Sequence, residues 1–511
     1  MLKILIDNKY AVIQGASRKL LGELDQITSY PVKGYYFTTA FKNKIWDGRE
    51  HLLKFKAGAS GGYRVPVGML EDVTRYLKKK RVSYRIVSGV HNHTENIKTG
   101  WNPDLTLRDY QQKAVDAICS PKRDIYLGRG ILKMPIRSGK TKTAAGIIHR
   151  LKARTLFLVP SQMLLHQTQA SLEDSLQVKI GAIGDSAWDP QDITVATIQA
   201  IIKWYEGYKS YAARIEKAKE ERDQEKVEKL KSEERTWREK HKTCKRFLES
   251  IDLLIFDECH HLRGKSWRRV VIDCDAAYKI GLSATVNLDS AHENELGEIW
   301  LKASTGNVVV DVSTTKLIRE GWLVQPTIEL RKVHKPEGIQ HHRWSNTLQS
   351  EAIYNNAHRN AMIVEDVIEC LRERGMKVLV ITNRIEQIEA LGPMLEAESI
   401  PFNYIIGRHA SKKRKEAVEA FVDGSAPVLM GTVFGEGIDI PEIEAVVNAQ
   451  GGRSDKATIQ RMRNLTPHEG KTEAVFKDYV DLMNPYFATH SKERLAAYRS
   501  EKAFRIKLLE E

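Results

Sequence analysis

Cysteine is scarce in this sequence: five in 511 residues, at 119, 244, 259, 274 and 370. Their number is odd, their spacing is wide and no Cys-x-x-Cys occurs, which argues against a disulfide framework or a zinc ribbon. No apolar run reaches the ~18 residues a membrane helix needs. The opening MLKILIDNKYAVIQG breaks its short apolar run with Asp7 and Lys9, so no secretory leader is expected. Tandem repeats and low-complexity runs are also missing. What is plentiful is charge, 29% of the residues, beside a hydrophobic fraction of 42% that excludes a wholly disordered chain. The length leaves room for about three domains. A reducing, cytoplasmic setting is expected, with no membrane partner.

The charge is unevenly spread. Lys and Arg number 80 against 66 Asp and Glu, a net +14. Residues 1–95 hold 17 cations against 8 anions, so most of the excess falls in the first fifth of the chain. An anionic partner is one reading, and solubility alone is the other.

Residues 1–95 alternate short apolar runs (KILIDNKYAVIQ, Glu50–Phe55) with one helical stretch, Gly68–Lys80, and predict a small α+β unit. The polar stretch His91–Pro103 suits a linker. Apolar β runs then alternate with helical segments: Thr155–Val159, Ile193–Ala196, Leu253–Phe256 and Ile280–Leu282. A second set follows Val324-Gln325-Pro326: Val378–Thr382, Tyr404–Ile406, Val428–Met430 and Ala445–Asn448. The pattern predicts two tandem α/β domains with parallel sheets, at 104–328 and 329–511, the second ending in a charged helix over Lys492–Glu511. Residues 208–245 interrupt the first. They are dense in Lys, Arg and Glu, with pairs such as Glu225–Lys229 and Glu234–Arg238 at helical spacing. A projecting helix or helical hairpin is predicted, as a solvated insertion or a contact arm.

Two motifs carry chemistry. Met134-Pro-Ile-Arg-Ser-Gly-Lys-Thr141 lies between the apolar run Ile131–Met134 and the helical Lys142–Arg150, the context of a phosphate-binding loop. Gly139 lets the backbone approach phosphates, Lys140 would reach the β/γ oxygens, and the Thr141 hydroxyl would ligate Mg²⁺. Met134 stands where the usual pattern has its first glycine. Downstream, the strand Leu253–Phe256 runs straight into Asp257-Glu258. Asp257 is placed to hold Mg²⁺, directly or through water, and Glu258 to accept a proton from an attacking water. Either motif alone could be an ordinary turn; together in one sheet they point to ATP and Mg²⁺.

In the order of its segments the chain resembles the superfamily-2 helicases of the DExH type over about residues 105–485. Leu107-Arg108-Asp-Tyr110-Gln111 resembles the adenine-reading element, with Gln111 as base contact. Met134–Thr141 is similar to motif I, Val159-Pro160-Ser161 to motif Ia, Val195–Gln199 to the next strand–loop element, Asp257–His260 to motif II and Ser283-Ala284-Thr285 to motif III. Val378–Asn383 resembles motif IV, Thr432 through Glu436-Gly437-Ile438-Asp439-Ile440-Pro441 motif V, and Gln460-Arg461-Met462-Arg463 motif VI.

The resemblance implies two RecA-like motor domains that hold ATP and Mg²⁺ between them. Nucleotide contacts would come from Arg108, Gln111, Ser138, Gly139, Lys140, Thr141, Asp257, Gly437 and Asp439. Lys140, Asp257, Glu258, Gln460, Arg461 and Arg463 would be catalytic, the arginines stabilising charge on the transferred phosphoryl. Pro160, Ser161, Thr197, Asn383 and Thr432 would track strand phosphates without reading sequence. His260 would couple the nucleotide site to the second domain. His91, His93 and His341-His342 are too isolated to argue for a metal.

Departures from the family pattern are visible. Arg137 stands where related loops usually carry a small residue, commonly glycine, which bears on the backbone geometry. Motif VI reads QRMRNLTPH against QRxGRxxR. A gapless match puts Asn464 on the arginine finger, whereas deleting one residue restores Arg463, the alignment preferred here; the distal arginine is missing either way.

Gly34–Leu53 closely resembles the accessory domain of the phage UvsW-type recombination helicases, through Gly-Tyr-x-Phe, Phe41, Trp46-Asp47-Gly48-Arg49 and Leu52. Lys33, Lys42, Lys44 and Arg49, interleaved with aromatics, suit a basic nucleic-acid surface, while Tyr36, Phe41 and Trp46 are expected mainly in the core. This resemblance implies unwinding or branch migration of forked and junction DNA by a monomer, in a host's cytoplasm if the chain is viral. An RNA helicase of the same superfamily, or a nucleic-acid-binding scaffold with a degenerate ATPase, are the alternatives.

Overall fold

The computed structural model describes residues 1–511 except 33, 58–60, 95, 121–127, 136, 206–207, 285, 287–295, 335–345, 433–439, 453–461, 463–470, 472 and 510–511. Two compact units divide the chain: Met1–Met134 with Gly139–Asp311, and Val312–Glu511 with Pro135–Ser138. Among the described residues no helix is long and apolar enough to cross a membrane.

The first unit opens with a five-stranded sheet in the order Lys54–Lys56, Gly62–Pro66, Tyr10–Gln14, Leu2–Ile6, Tyr84–Ser88. Leu2, Ile4 and Ile6 face inward while Lys3 faces solvent, the two-residue period of a half-buried strand. The helix Leu70–Lys79 buries Leu70, Val73, Thr74 and Leu77, one stripe at spacings of three and four. Glu71 and Asp72 in its first turn and Lys78 and Lys79 in its last complement the helix dipole.

The apolar core of this segment does not end at its own helices. It takes in Ile299 and Ala303 of the helix Leu296–Thr305. Gly68 lies so close to the Lys302 and Ala303 carbonyls that a Cβ would collide with backbone. Lys302 pairs with Asp72 at 2.7 Å, and Asn307 donates to Glu71 at 2.7 Å.

An eight-stranded sheet follows in the same unit, ordered Ala187–Asp189, Gly181–Gly184, Ile193–Thr197, Thr155–Val159, Leu253–Phe256, Tyr278–Ser283, Arg129–Lys133, Val308–Asp311. Every pairing is parallel except that of Ala187–Asp189. The central strands are buried on both faces, hence their unbroken apolar runs.

The charged insertion is a helical hairpin, Tyr208–Glu220 and Gln224–Glu249. Its own small core is Ile215, Ala218 and Leu230, and its roots Cys244, Phe247 and Leu248 join the core of the eight-stranded sheet. At the base, His241 Nδ1 lies 3.0 Å from the Tyr205 carbonyl oxygen. The Glu234–Arg238 pair forms at 2.8 Å on the exposed face.

The second unit holds a seven-stranded, all-parallel sheet: Phe402–Ile405, Val428–Gly431, Val378–Ile381, Ala445–Asn448, Ala474–Asp481, Pro326–Val333, Arg505–Leu508. The 328/329 position expected as a domain boundary falls inside the strand Pro326–Val333. The tail also differs from the expected single helix. A helix spans Pro485–Ser500, and Arg505–Leu508 then pairs with Thr327–Leu330. That strand satisfies the edge backbone of Pro326–Val333, a tertiary demand that outweighs the tail's high charge. Behind the sheet, buried charges are paired: Arg359 with Asp481 at 2.8 Å and Arg494 with Asp478 at 2.9 Å. The architecture is α/β: two parallel-sheet, RecA-like domains preceded by a small α+β sheet.

Candidate nucleotide and nucleic-acid sites

The strand order of the first unit decides what meets at its edge. Parallel strands present their carboxyl ends on one side, where ligands bind in α/β sheets. Along that edge stand Thr197 and Ser283, which end their strands, and Pro160–Ser161, Asp257 and the loop after Lys133, which follow theirs.

The loop leads into the helix Lys140–Leu151 through Gly139, whose φ of +74° is left-handed. A Cβ at Gly139 would press into Gln111 Nε2. Two constraints therefore require glycine here. Gln111 is buried; its Nε2 donates to the Gly139 carbonyl at 3.4 Å and its Oε1 accepts from Arg108 N at 2.9 Å. It thus ties the start of the helix Asp109–Cys119 to the phosphate loop. Ser138 Oγ donates to the Pro135 carbonyl at 2.7 Å, and Thr141 sits half-buried in the first helical turn. Arg137 has a φ of +67°. A side chain in that conformation costs ~1–2 kcal/mol, a cost that glycine would avoid.

Lys140 Nζ lies 3.8 Å from Glu258 Oε1, with both side chains nearly buried. Glu258 itself has a left-handed φ of +46°, held by its amide donating to Asp257 Oδ1 at 2.9 Å. Its Oε2 is buried with no hydrogen-bond partner among the described residues, and His260 Nδ1 approaches it to 3.4 Å. His260 Nδ1 also lies 3.2 Å from Ser283 Oγ, joining motifs II and III. Burial pushes the neighbouring Cys259 thiol far up, so it is an inert core group.

Ser161 Oγ caps the helix Gln162–Leu176 by accepting from Leu164 N at 3.3 Å, and Thr197 Oγ1 accepts from Ala200 N at 3.4 Å. Gln199 Nε2 donates to the Pro160 carbonyl at 3.0 Å, linking the two loops. In the second unit Asn383 and Thr432 follow the adjacent strands Val378–Ile381 and Val428–Gly431, with Asn383 exposed and Thr432 half-buried. Gln460, Arg461, Arg463, Gly437, Asp439 and Lys33 lie outside the described residues.

The accessory segment departs from expectation in its aromatics. Tyr36 is 54% and Phe37 74% exposed, beside Ile45 at 78%. Tyr35, Phe41 and Trp46 are half-buried, Trp46 donating its indole N–H to the Arg49 carbonyl. The short helix Thr39–Lys42 is too small to cover its neighbours. Lys42 and Lys44 are exposed, whereas Arg49 is tied to Ser29 through its Oγ and carbonyl at 3.0 and 2.6 Å. His51 bridges Asp25 and Asp47, which raise its pKa, the Asp25 hydrogen bond foremost. His91 and His93 prove less isolated than expected: with Asp275 their ligand atoms lie within 4.8 Å of one another. Lys9, 3.5 Å from Asp275, already competes there with any cation.

Residues 104–288 match the family described as type III restriction enzyme, res subunit, and residues 361–463 the helicase conserved C-terminal domain. A Rad25 protein of Haloarcula marismortui is 26% identical over 366 residues, 71% of this chain and 51% of that protein. The chain therefore spans about half of that relative's length. The ATP-dependent DNA helicase uvsW of enterobacteria phage T4 is 21% identical over 517 residues, 94% of this chain and 93% of that one. The solved structure of the ATP-dependent type ISP restriction-modification enzyme LlaBIII bound to DNA shares the fold, with a TM-score of 0.52 at 15% identity, over 79% of this chain and 31% of that one. The chain belongs to the superfamily-2 helicases, the family of ATP-dependent helicases and translocases.

Proposed function

We propose that the protein is an ATP-driven DNA helicase or translocase that unwinds or branch-migrates forked and junction DNA, in recombination, replication or repair. The observation that carries this reading is the shared sheet edge. The Lys140–Glu258 pair stands on the same edge as the Ser161 and Thr197 loops. Both loops open helices whose positive N-terminal ends suit strand phosphates.

The residues present fit ATP and Mg²⁺. Gly139 opens a helix N-terminus, Lys140 offers an ammonium, and Glu258 keeps a buried carboxylate oxygen without a hydrogen-bond partner among the described residues. Arg108, Gln111, Ser138, Gly139, Lys140 and Thr141 would hold the nucleotide, and Thr141 and Asp257 the metal. A metal bound there supplies positive charge against the phosphates. Glu258 would orient the attacking water and accept its proton, and Gln460, Arg461 and Arg463 complete the set by the family pattern. Asn383 and Thr432 would contact the tracked strand. Lys33, Lys42 and Lys44, with the exposed rings of Tyr36 and Phe37, would engage single-stranded DNA at the fork.

The test is ATP hydrolysis and strand displacement on fork, flap and four-way DNA, with matched RNA duplexes. DNA-stimulated hydrolysis and displacement of forked DNA are expected. Equal unwinding of RNA would move the reading to an RNA helicase, and no stimulation by either would remove it.

A further inference from the structure

Where the accessory sheet meets the first motor sheet, the two enclose a cavity of about 250 Å³. Five of its lining residues are cationic, Lys9, Lys54, Arg64, Arg129 and Lys279, and none is Asp or Glu. Two of them are deep, with Arg129 8% and Lys279 2% exposed. Among the described residues Arg129 donates only to backbone carbonyls, those of Asn8, Ala276 and Ser304, and Lys279 only to Val271 O at 2.7 Å. Trp300 adds a buried indole N–H with no partner among the described residues. Of the five, Lys9 alone has a carboxylate partner among the described residues, Asp275 at 3.5 Å.

Buried cations ordinarily have a carboxylate in contact, because an unpaired buried charge is costly. Here the compensation that the protein withholds has room to come from a ligand. The cavity is too small for a duplex but has the volume for a phosphate with its attached sugar. Ammonium and guanidinium groups among its lining residues match the chemistry of a phosphate's acceptor oxygens. We propose that this cavity binds a phosphate dianion, presented as the terminal phosphate of a DNA strand or as free inorganic phosphate. The first source rests on the DNA reading above; the second does not.

Lys279 supports the assignment. Burial, and then the Arg129 charge, push its pKa down to about 7. Lys9 acts in the same direction, while Cys274 and Asp275 oppose it. A bound dianion would restore the proton, so binding should draw protons from solution between about pH 7 and 9.

The experiment uses the full chain with saturating non-hydrolysable ATP analogue, so that the Gly139–Thr141 loop is already filled. Wild type, Lys279→Met and Lys54→Gln/Arg64→Gln are compared. Inorganic phosphate is titrated against chloride at equal ionic strength while the unfolding temperature is followed. Forked DNA with phosphorylated or hydroxyl ends is titrated by anisotropy. Strand-end recognition predicts about tenfold tighter binding of phosphorylated ends by wild type, lost in both variants. Free-phosphate recognition predicts a phosphate-specific rise in unfolding temperature, again lost in both variants, with no end preference. Neither effect in wild type, or an effect retained in the variants, overturns the proposal. DNA-stimulated hydrolysis is measured alongside: its absence removes the DNA reading, and the phosphate titration still judges the cavity.

Discussion

Lys140 Nζ and Glu258 Oε1 stand 3.8 Å apart, so the cation of motif I and the motif II carboxylate proposed as the base form one electrostatic unit. Lys140→Ala should abolish measurable hydrolysis. Glu258→Gln keeps the shape but removes proton acceptance, and should lower kcat about 10²–10⁴-fold with a smaller change in KM. Steady-state hydrolysis in the presence of DNA checks both. A Glu258→Gln variant with unchanged kcat would sink the assignment of the base.

Arg137 occupies left-handed backbone at φ +67°. Replacing it with valine, whose branched Cβ suits that region worst, should destabilise the protein relative to Arg137→Gly by about 1–2 kcal/mol. Urea unfolding of the two variants measures the difference. Equal midpoints would mean that the loop relaxes out of this conformation.

The rings of Tyr36 and Phe37 are exposed to solvent, as are Lys42 and Lys44 of the same segment. If bases stack on them, Tyr36→Ala/Phe37→Ala should weaken binding of a fork with single-stranded arms by at least about tenfold, since stacking contributes ~1–3 kcal/mol per base. Blunt duplex should be affected less. Anisotropy titrations with the two substrates make the comparison, and an equal loss on both would point away from stacking.

Lys279 also leaves a signature in stability. An unfolded chain keeps its proton to about pH 10.4, whereas in the fold its pKa is about 7. Between these values the unfolded state binds more protons, so stability rises with pH through the window. Lys279→Met, in phosphate-free buffer, should therefore stabilise the protein most at or below pH 7, with the gain shrinking towards pH 10. A gain independent of pH would show that Lys279 holds its proton in the fold as firmly as in the unfolded chain.

The motor was legible because its chemistry is local. Gly-Lys-Thr before a helix and Asp-Glu after an apolar strand need only neighbouring residues, and both lie at the expected edge. The accessory segment was harder. Gly34–Leu53 has the composition of a packed unit, but its helices are too short to cover Tyr36 and Phe37. The cationic cavity joins Lys9 and Arg64 to Arg129 and Lys279, residues up to 270 positions apart, which no local pattern connects. One clue was visible: a lysine at the second position of the otherwise apolar strand Tyr278–Ser283. The final strand, Arg505–Leu508, was hidden because its pairing partner, not its sequence, determines it.

The hairpin of helices Tyr208–Glu220 and Gln224–Glu249 leaves and re-enters the first sheet at almost one point, where His241 meets the Tyr205 carbonyl. It is spliced between the strands Ile193–Thr197 and Leu253–Phe256 without altering their places in the sheet. The motor is therefore a chassis with a socket. A change in the length of the arm would leave the strand order of the engine beneath it untouched.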